Sequence, residues 1–179
     1  MPAIEIRHAN SDDIQTLMAF DHSYASDYVW QMEIQRDEGQ TGVIFREAKL
    51  PRSVQVIYPR NPQKLADDWT KRDGVLVATI ESDIVAYTVL MQGLAPHTTW
   101  MTDLVVMRRL RRQGVGTALI LASQEWALQK KSRRIILEMQ PKNYPAICLA
   151  DKLGFDLCGY NDHYYTNNDI ALFFSKWLR

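Results

Sequence analysis

The ten residues "RRLRRQGVGT" (Arg108–Thr117) put four arginines and then Gly114 and Gly116 at the mouth of an apparent amphipathic helix. A helix N-terminus leaves backbone N–H groups unpaired and carries partial positive charge, so it attracts anions. Glycines let such a ligand approach the backbone closely, and the arginines add formal charge. Together these features suit a pyrophosphate. Two common glycine-loop patterns fail here. A P-loop needs Lys-Ser/Thr after its second glycine, whereas Gly116 is followed by Thr117-Ala118. A dinucleotide fingerprint needs Gly or Ala where Leu119 stands, and its turn follows the strand directly. Here Met107 to Arg112 intervene between strand and Gln113.

The elements that must position this loop can be read from apolar periodicity. "IEIRHA" alternates as a strand, and Ser11-Asp12-Asp13 then reads as the cap of a helix through about Phe20. From Tyr28, two strands around an Asp-Glu-Gly turn form a hairpin-like pattern. Pro51 and Pro59 bracket another apolar run, and "NPQKLADDWTKRDG" is a polar connection with room for a helical turn. "GVLVATIE" and "IVAYTVLMQ" form a hairpin at Ser82-Asp83, and "TTWMTDLVVM" continues the sheet. The glycine loop opens a helix to about Lys131, with Val115, Leu119, Ala122 and Trp126 on one face. "RRIILEMQ" is a strand, and Asn143–Leu153 a short helix ended by Gly154. "FDLCGYNDHYYT" and "IALFFSKWL" are closing strands. The expected architecture is mixed α/β (α+β): a central, mostly antiparallel twisted sheet flanked by helices.

At 179 residues the chain suffices for one domain with a substantial core. Its 21 basic and 21 acidic residues cancel, which argues against nucleic acid or a membrane surface as partner. Cys148 and Cys158 make no CxxC pair, the four histidines offer no metal spacing, and no metal is expected. The first residues carry charge where a signal peptide needs an apolar stretch, and no run is apolar enough to span a membrane. A soluble, cytoplasmic protein is expected. The charges are distributed unevenly. Seven acids face one base between Ser11 and Glu38, and eight bases face one acid between Leu104 and Arg134.

The hexad Arg111-Arg112-Gln113-Gly114-Val115-Gly116 also fits a third pattern, Arg/Gln-x-x-Gly-x-Gly/Ala. With it, and with "LEMQPKNYPAICLADKLGF" downstream, the chain resembles the GNAT superfamily of acetyl-CoA-dependent N-acetyltransferases. "DHSYASDYVW", "FREAKLP", "TDLVV", "GFDLCGYNDHYY" and "IALFF" resemble its streptothricin acetyltransferase branch, which acetylates an antibiotic amine. The resemblance implies one GNAT domain over 1–179, with an acceptor-side half (1–100) and an acetyl-CoA-binding half with closing strands (101–179). It implies direct attack of a primary amine on acetyl-CoA as co-substrate. The acceptor would be a small cationic molecule; a protein N-terminus or lysine, or a non-catalytic acyl-CoA-binding role, are the alternatives. Edge strands near the C-terminus leave a homodimer open.

By the same resemblance, Arg111 to Thr117 would hold the pyrophosphate, with Asn143 contacting CoA or simply capping its helix. Leu104, Val105 and Val106 would match a splayed strand that pairs with pantetheine, with the Val105 N–H near the thioester oxygen. Glu138 stands where some relatives place a base, among apolar neighbours that would raise its pKa. Asp103 is the second candidate. Asp21, Tyr24, Asp27, Trp30 and Tyr165 would line the acceptor pocket, whose acidic flank would draw a cation. One departure stands out. The family's tyrosine, four residues before Gly-Phe, protonates the leaving thiolate; here that position is Ala150. Tyr144, Cys148, Tyr160, Tyr164, Tyr165 or water remain as substitutes.

Overall fold

The computed structural model describes residues 3–179. The chain runs β1 (Glu5–His8), α1 (Ile14–Met18), β2 (Tyr24–Asp37) and β3 (Gln40–Val56), then helical turns including α2 (Leu65–Asp68). It continues with β4 (Gly74–Ile80), β5 (Asp83–Met91), β6 (Thr98–Val106), α3 (Val115–Gln129), β7 (Arg134–Met139), α4 (Tyr144–Lys152), β8 (Asp156–Asn161) and β9 (Ala171–Trp177).

Seven strands form one sheet in the order β1-β4-β5-β6-β7-β9-β8, and every pairing is antiparallel except β6 with β7. The parallel pair follows from α3, which carries the chain back along the sheet between the two strands. Both faces of the central strands are covered. Leu76 and Ala78 of β4 join Leu119, Trp126 and Ile147 on the α3–α4 side. Val75 and Val77 join Ile14 and Leu17 of α1 on the other. This two-sided burial is why "GVLVATI" is a continuous apolar run.

The hairpin β2–β3 forms its own two-stranded sheet. It begins earlier than the pattern suggested, at Tyr24, and Pro51 lies inside β3 rather than beside it. Register explains the proline. Tyr28 faces Lys49 and Ser26 faces Val54, so residues 50 to 53 bulge opposite Asp27, where a missing N–H breaks no ladder.

Three further details differ from expectation. Asp13 is the residue before α1 but makes no side-chain cap, because its carboxylate binds Arg7 and the Asn10 N–H instead. The buried face of α3 comprises Val115, Leu119, Ile120, Ser123, Trp126 and Ala127, with Ala122 at its margin. Tyr164 and Tyr165 sit in the turn between β8 and β9, not on a strand.

Candidate active site

The site begins with a defect in the sheet. β6 pairs with β5 from Trp100 to Val106, but with β7 only from Thr98 to Met101. Met101 faces Leu90 and Asp103 faces Val89, so Thr102 is an extra residue in β6. A bulge of this kind bends its strand. Beyond it β7 continues beside β9, while Asp103 to Val106 border a cleft of about 660 Å³.

One part of this cleft is a helix mouth. Gly114 precedes α3 at φ +87, and Arg112 is also left-handed at φ +64. No side chain caps α3, and its first internal bond runs from the Ala118 N–H to the Gly114 carbonyl. The N–H groups of Val115, Gly116 and Thr117 therefore have no backbone partner upstream in the helix. At Gly116 a Cβ would stand 3.4 Å from Leu149 Cδ2, so a side chain there would crowd the space between α3 and α4. Arg108, Arg112 and Lys152 also border the cleft. This set of free N–H groups, glycine-smooth backbone and cations fits an anionic pyrophosphate.

The other part holds titratable groups brought together from distant parts of the chain. The Glu138 side chain is wholly buried, forms an ion pair with Arg60, and accepts a hydrogen bond from the Tyr164 hydroxyl at 3.1 Å. Arg60 also donates to the Thr102 carbonyl at 2.9 Å, and its Nη1 lies 3.9 Å from Asp103 Oδ1. Its guanidinium covers the Tyr165 ring at 5.2 Å. Asp103 accepts from the Tyr58 hydroxyl and, at 2.8 Å, from Thr102 Oγ1. Burial, and secondarily the charge of Glu138, pushes the Asp103 carboxyl up to about 7. Burial likewise raises Tyr24, Tyr87 and Tyr165, and lowers His22. His22 Nδ1 lies 2.7 Å from the Phe20 carbonyl, so it is the protonated nitrogen, and Nε2 is left to accept from the Tyr87 hydroxyl at 2.9 Å.

Of the expected site residues, Asp103, Glu138, Leu104, Val105, Val106, Arg111, Arg112, Gly114, Gly116, Thr117, Asn143, Tyr24, Asp27 and Tyr165 border this cleft. Others lie elsewhere. The Val115 side chain is in the core and Gln113 is exposed, its amide donating to the Arg109 carbonyl. Trp30 packs on Phe45 and Phe174 instead of the cleft. Asp21 is exposed outside it, bonded to Ser23 and 3.9 Å from Arg108. Within the cleft, the Arg111 guanidinium is engaged by the carbonyls of Val106, Ser23 and Asp21, which ties the start of β2 to the end of β6. Asn143 caps α4 by accepting the Ala146 N–H.

The acidic flank differs in the same way. Of its seven carboxylates only Asp27 borders the cleft, while Asp13 is paired with Arg7 and Glu33 with Arg46. Inside the cleft stand instead Asp103, whose carboxyl is pushed up to about 7, and Glu138, which is paired with Arg60. Arg60 and Tyr58 escaped sequence reading because a polar, proline-flanked connector carries no periodicity to place them. Ala150 is fully buried, so no hydroxyl enters at its position. Of the possible substitutes, Cys148 and Tyr165 border the cleft, whereas Tyr144 stacks on Tyr28 and Tyr160 packs against Phe45.

The profile of the acetyltransferase (GNAT) family matches residues 30–155. The chain belongs to this family, whose solved members share its mixed α/β fold. It is therefore an N-acetyltransferase by class. A Bacillus subtilis protein assigned as a ribosomal protein bS18-alanine N-acetyltransferase is 25% identical over 139 residues, 72% of this chain and 91% of its own. The streptothricin acetyltransferase of Streptomyces lavendulae is 20% identical over 166 residues, 90% of this chain and 86% of its own. A Bacillus anthracis structure assigned to the streptothricin acetyltransferases, in complex with acetyl coenzyme A, superposes with TM-score 0.77. It is 19% identical and covers 98% of this chain and 100% of the other. Among the described residues no helix is long and apolar enough to cross a membrane, and no group of His, Cys, Asp and Glu is placed to hold a metal ion.

Proposed function

We propose that the chain acetylates a primary amine of a small cationic acceptor, such as a streptothricin-like antibiotic, with acetyl-CoA as donor. The observation that carries this reading is the joining of two buried carboxylates and an anion-binding helix mouth in one cleft. The similarity to a streptothricin acetyltransferase over most of both chains supports the acceptor class.

Acetyl-CoA supplies the activated acyl group as a thioester. The first-turn N–H groups of α3, with Arg108, Arg112 and Lys152, would hold its pyrophosphate. The side of β6 turned away from β5 would take its pantetheine, and the Leu104 and Val106 N–H groups there are our candidates for polarising the thioester carbonyl. The Val105 N–H expected in that role shares the orientation of Met107, whose N–H donates to the Val85 carbonyl of β5. Asp27 and the ionised fraction of Asp103 attract the acceptor's ammonium group into the cleft. Asp103 is our candidate base, because a carboxyl titrating near neutrality can take the ammonium proton and return it to solvent. The amine nitrogen then bonds to the acyl carbon, the carbon–sulfur bond breaks as the nitrogen gives its second proton to the again-ionised Asp103, and the thiolate leaves. With Ala150 at the customary tyrosine position, water in the open cleft is the simplest proton donor to that sulfur. Thiolates leave without strong acid assistance.

A thiol-release assay with acetyl-CoA tests this against streptothricin, polyamines, lysine and short peptides. Turnover is expected with at least one cationic small molecule, and Asp103→Asn should lower kcat by about 10²- to 10⁴-fold. Turnover with peptides alone would move the acceptor to a protein amine, as in the Bacillus subtilis relative assigned to an alanine of ribosomal protein bS18. Acetyl-CoA binding without thiol release from any acceptor would refute the reading.

A further inference from the structure

Arg60 treats the two carboxylates of the cleft unequally. Arg60 makes a direct ion pair with Glu138, whereas its nearest nitrogen stays 3.9 Å from Asp103. The Thr102 carbonyl and the face of Tyr165 hold the guanidinium in that off-centre place. The hydrogen bonds that Asp103 accepts come from neutral donors, the hydroxyls of Tyr58 and Thr102, with Arg60 only at ion-pair distance.

We propose that Arg60 is a positioning residue that keeps Glu138 ionised and thereby leaves the exchangeable proton of the cleft on Asp103. The proposal rests on the transfer reaction above, in which Asp103 is the base, but its physical content concerns the free protein.

Two neighbouring carboxyls in a poorly solvated space do not both ionise readily, so one tends to hold a proton near neutrality. Which one holds it depends on the asymmetry of the charges around them. The surrounding titratable groups come from every packed element. Tyr58 and Arg60 lie in the segment after β3, Tyr87 on β5 and Glu138 on β7. Tyr164 and Tyr165 belong to the β8–β9 turn, and His22 and Tyr24 to the approach to β2. Burial keeps the hydroxyls of Tyr24, Tyr87, Tyr164 and Tyr165 neutral, and depresses protonation of His22. Among the described residues Arg60 is thus the one cation that pairs with these carboxylates. Because it bonds directly to Glu138, Glu138 gives up its proton first. The remaining negative charge, with burial, then raises Asp103. Arg60 contributes to the basicity of Asp103 through Glu138. It also leaves the cleft with a single exchangeable proton.

Carbon-13 NMR of side-chain carboxyls tests this in the protein without acetyl-CoA or acceptor, since Asp Cγ and Glu Cδ resonances are distinguishable. Asp103→Asn and Glu138→Gln provide the assignments. In the wild type we expect the neutral-range titration to belong to Asp103 and not to Glu138. In Arg60→Met the order should reverse. Glu138 would titrate in the neutral range, and Asp103 would fall by about one pH unit or more. Arg60→Lys should keep the wild-type order. A neutral-range titration belonging to Glu138 in the wild type, or an order unchanged in Arg60→Met, overturns the proposal. If Arg60→Met does not fold, persistence of the neutral titration in Asp103→Asn overturns it equally, and its loss there together with the wild-type order in Arg60→Lys supports it. These readouts need no catalysis, so failure to acetylate any amine would remove the proposed reaction without altering the proton order.

Discussion

Replacing Asp103 by asparagine should make the protein more stable at pH 8, an unusual outcome for a change in the candidate catalytic centre. The reason is a proton taken up on folding. An Asp carboxyl moved from its ordinary 3.8 to about 7 is protonated in the folded state, and ionised in the unfolded state, throughout the interval between those values. The folded state then binds more protons than the unfolded one, so stability falls as pH rises from about 4 to 7. A pKa difference of about 3 corresponds to roughly 4 kcal/mol once the pH exceeds 7. Below pH 4 the contribution of this carboxyl is fully present. Asparagine keeps the shape and can still accept from Tyr58, and the Arg60–Glu138 pair is untouched. Denaturant titrations of wild type and variant at pH 5, 6, 7 and 8 isolate the effect, because carboxyls not coupled to Asp103 cancel in the difference. The variant should gain relative to wild type at each step, approaching that 4 kcal/mol, or a Tm gain of order 10 °C for a chain of this length. A difference that stays flat from pH 5 to pH 8 would refute the assignment of the proton to Asp103.

Other perturbations separate binding from architecture. Arg111→Ala removes three hydrogen bonds to backbone carbonyls and should cost roughly 2–3 kcal/mol by denaturant titration. Arg112→Ala, on an exposed residue at the cleft, should leave stability within about 0.5 kcal/mol but weaken acetyl-CoA binding in a salt-dependent way by calorimetry. Gly116→Trp fills the space between α3 and α4 and should abolish calorimetric acetyl-CoA binding; a variant that binds normally would remove the helix mouth from the proposed site. Ala150→Tyr should not restore an acid. The site is fully buried, and the ring should destabilise the fold by about 1–3 kcal/mol or more, with no rise in kcat in the thiol-release assay.

The amino-acid sequence determined whatever depends on neighbours along the chain. Alternation and apolar runs placed most of the strands, and Gly114-Val115-Gly116 located the start of α3, because backbone conformation and helix ends are local matters. Glu138 and Asp103 could be picked out by their place on strands and by resemblance. Their partners could not. Arg60 reaches Glu138 across 78 residues, from a connector with no periodicity. The splay of β6 from β7 depends on Thr102, one extra residue measured against β5, and no single strand reveals that. Charge counts misled for the same reason. An acidic segment need not be an acidic pocket, since Asp13 and Glu33 find arginines of their own while Arg111 is drawn into backbone hydrogen bonds. Only the tertiary structure decided which charges meet, because electrostatic energy depends on distance and burial and not on order in the chain.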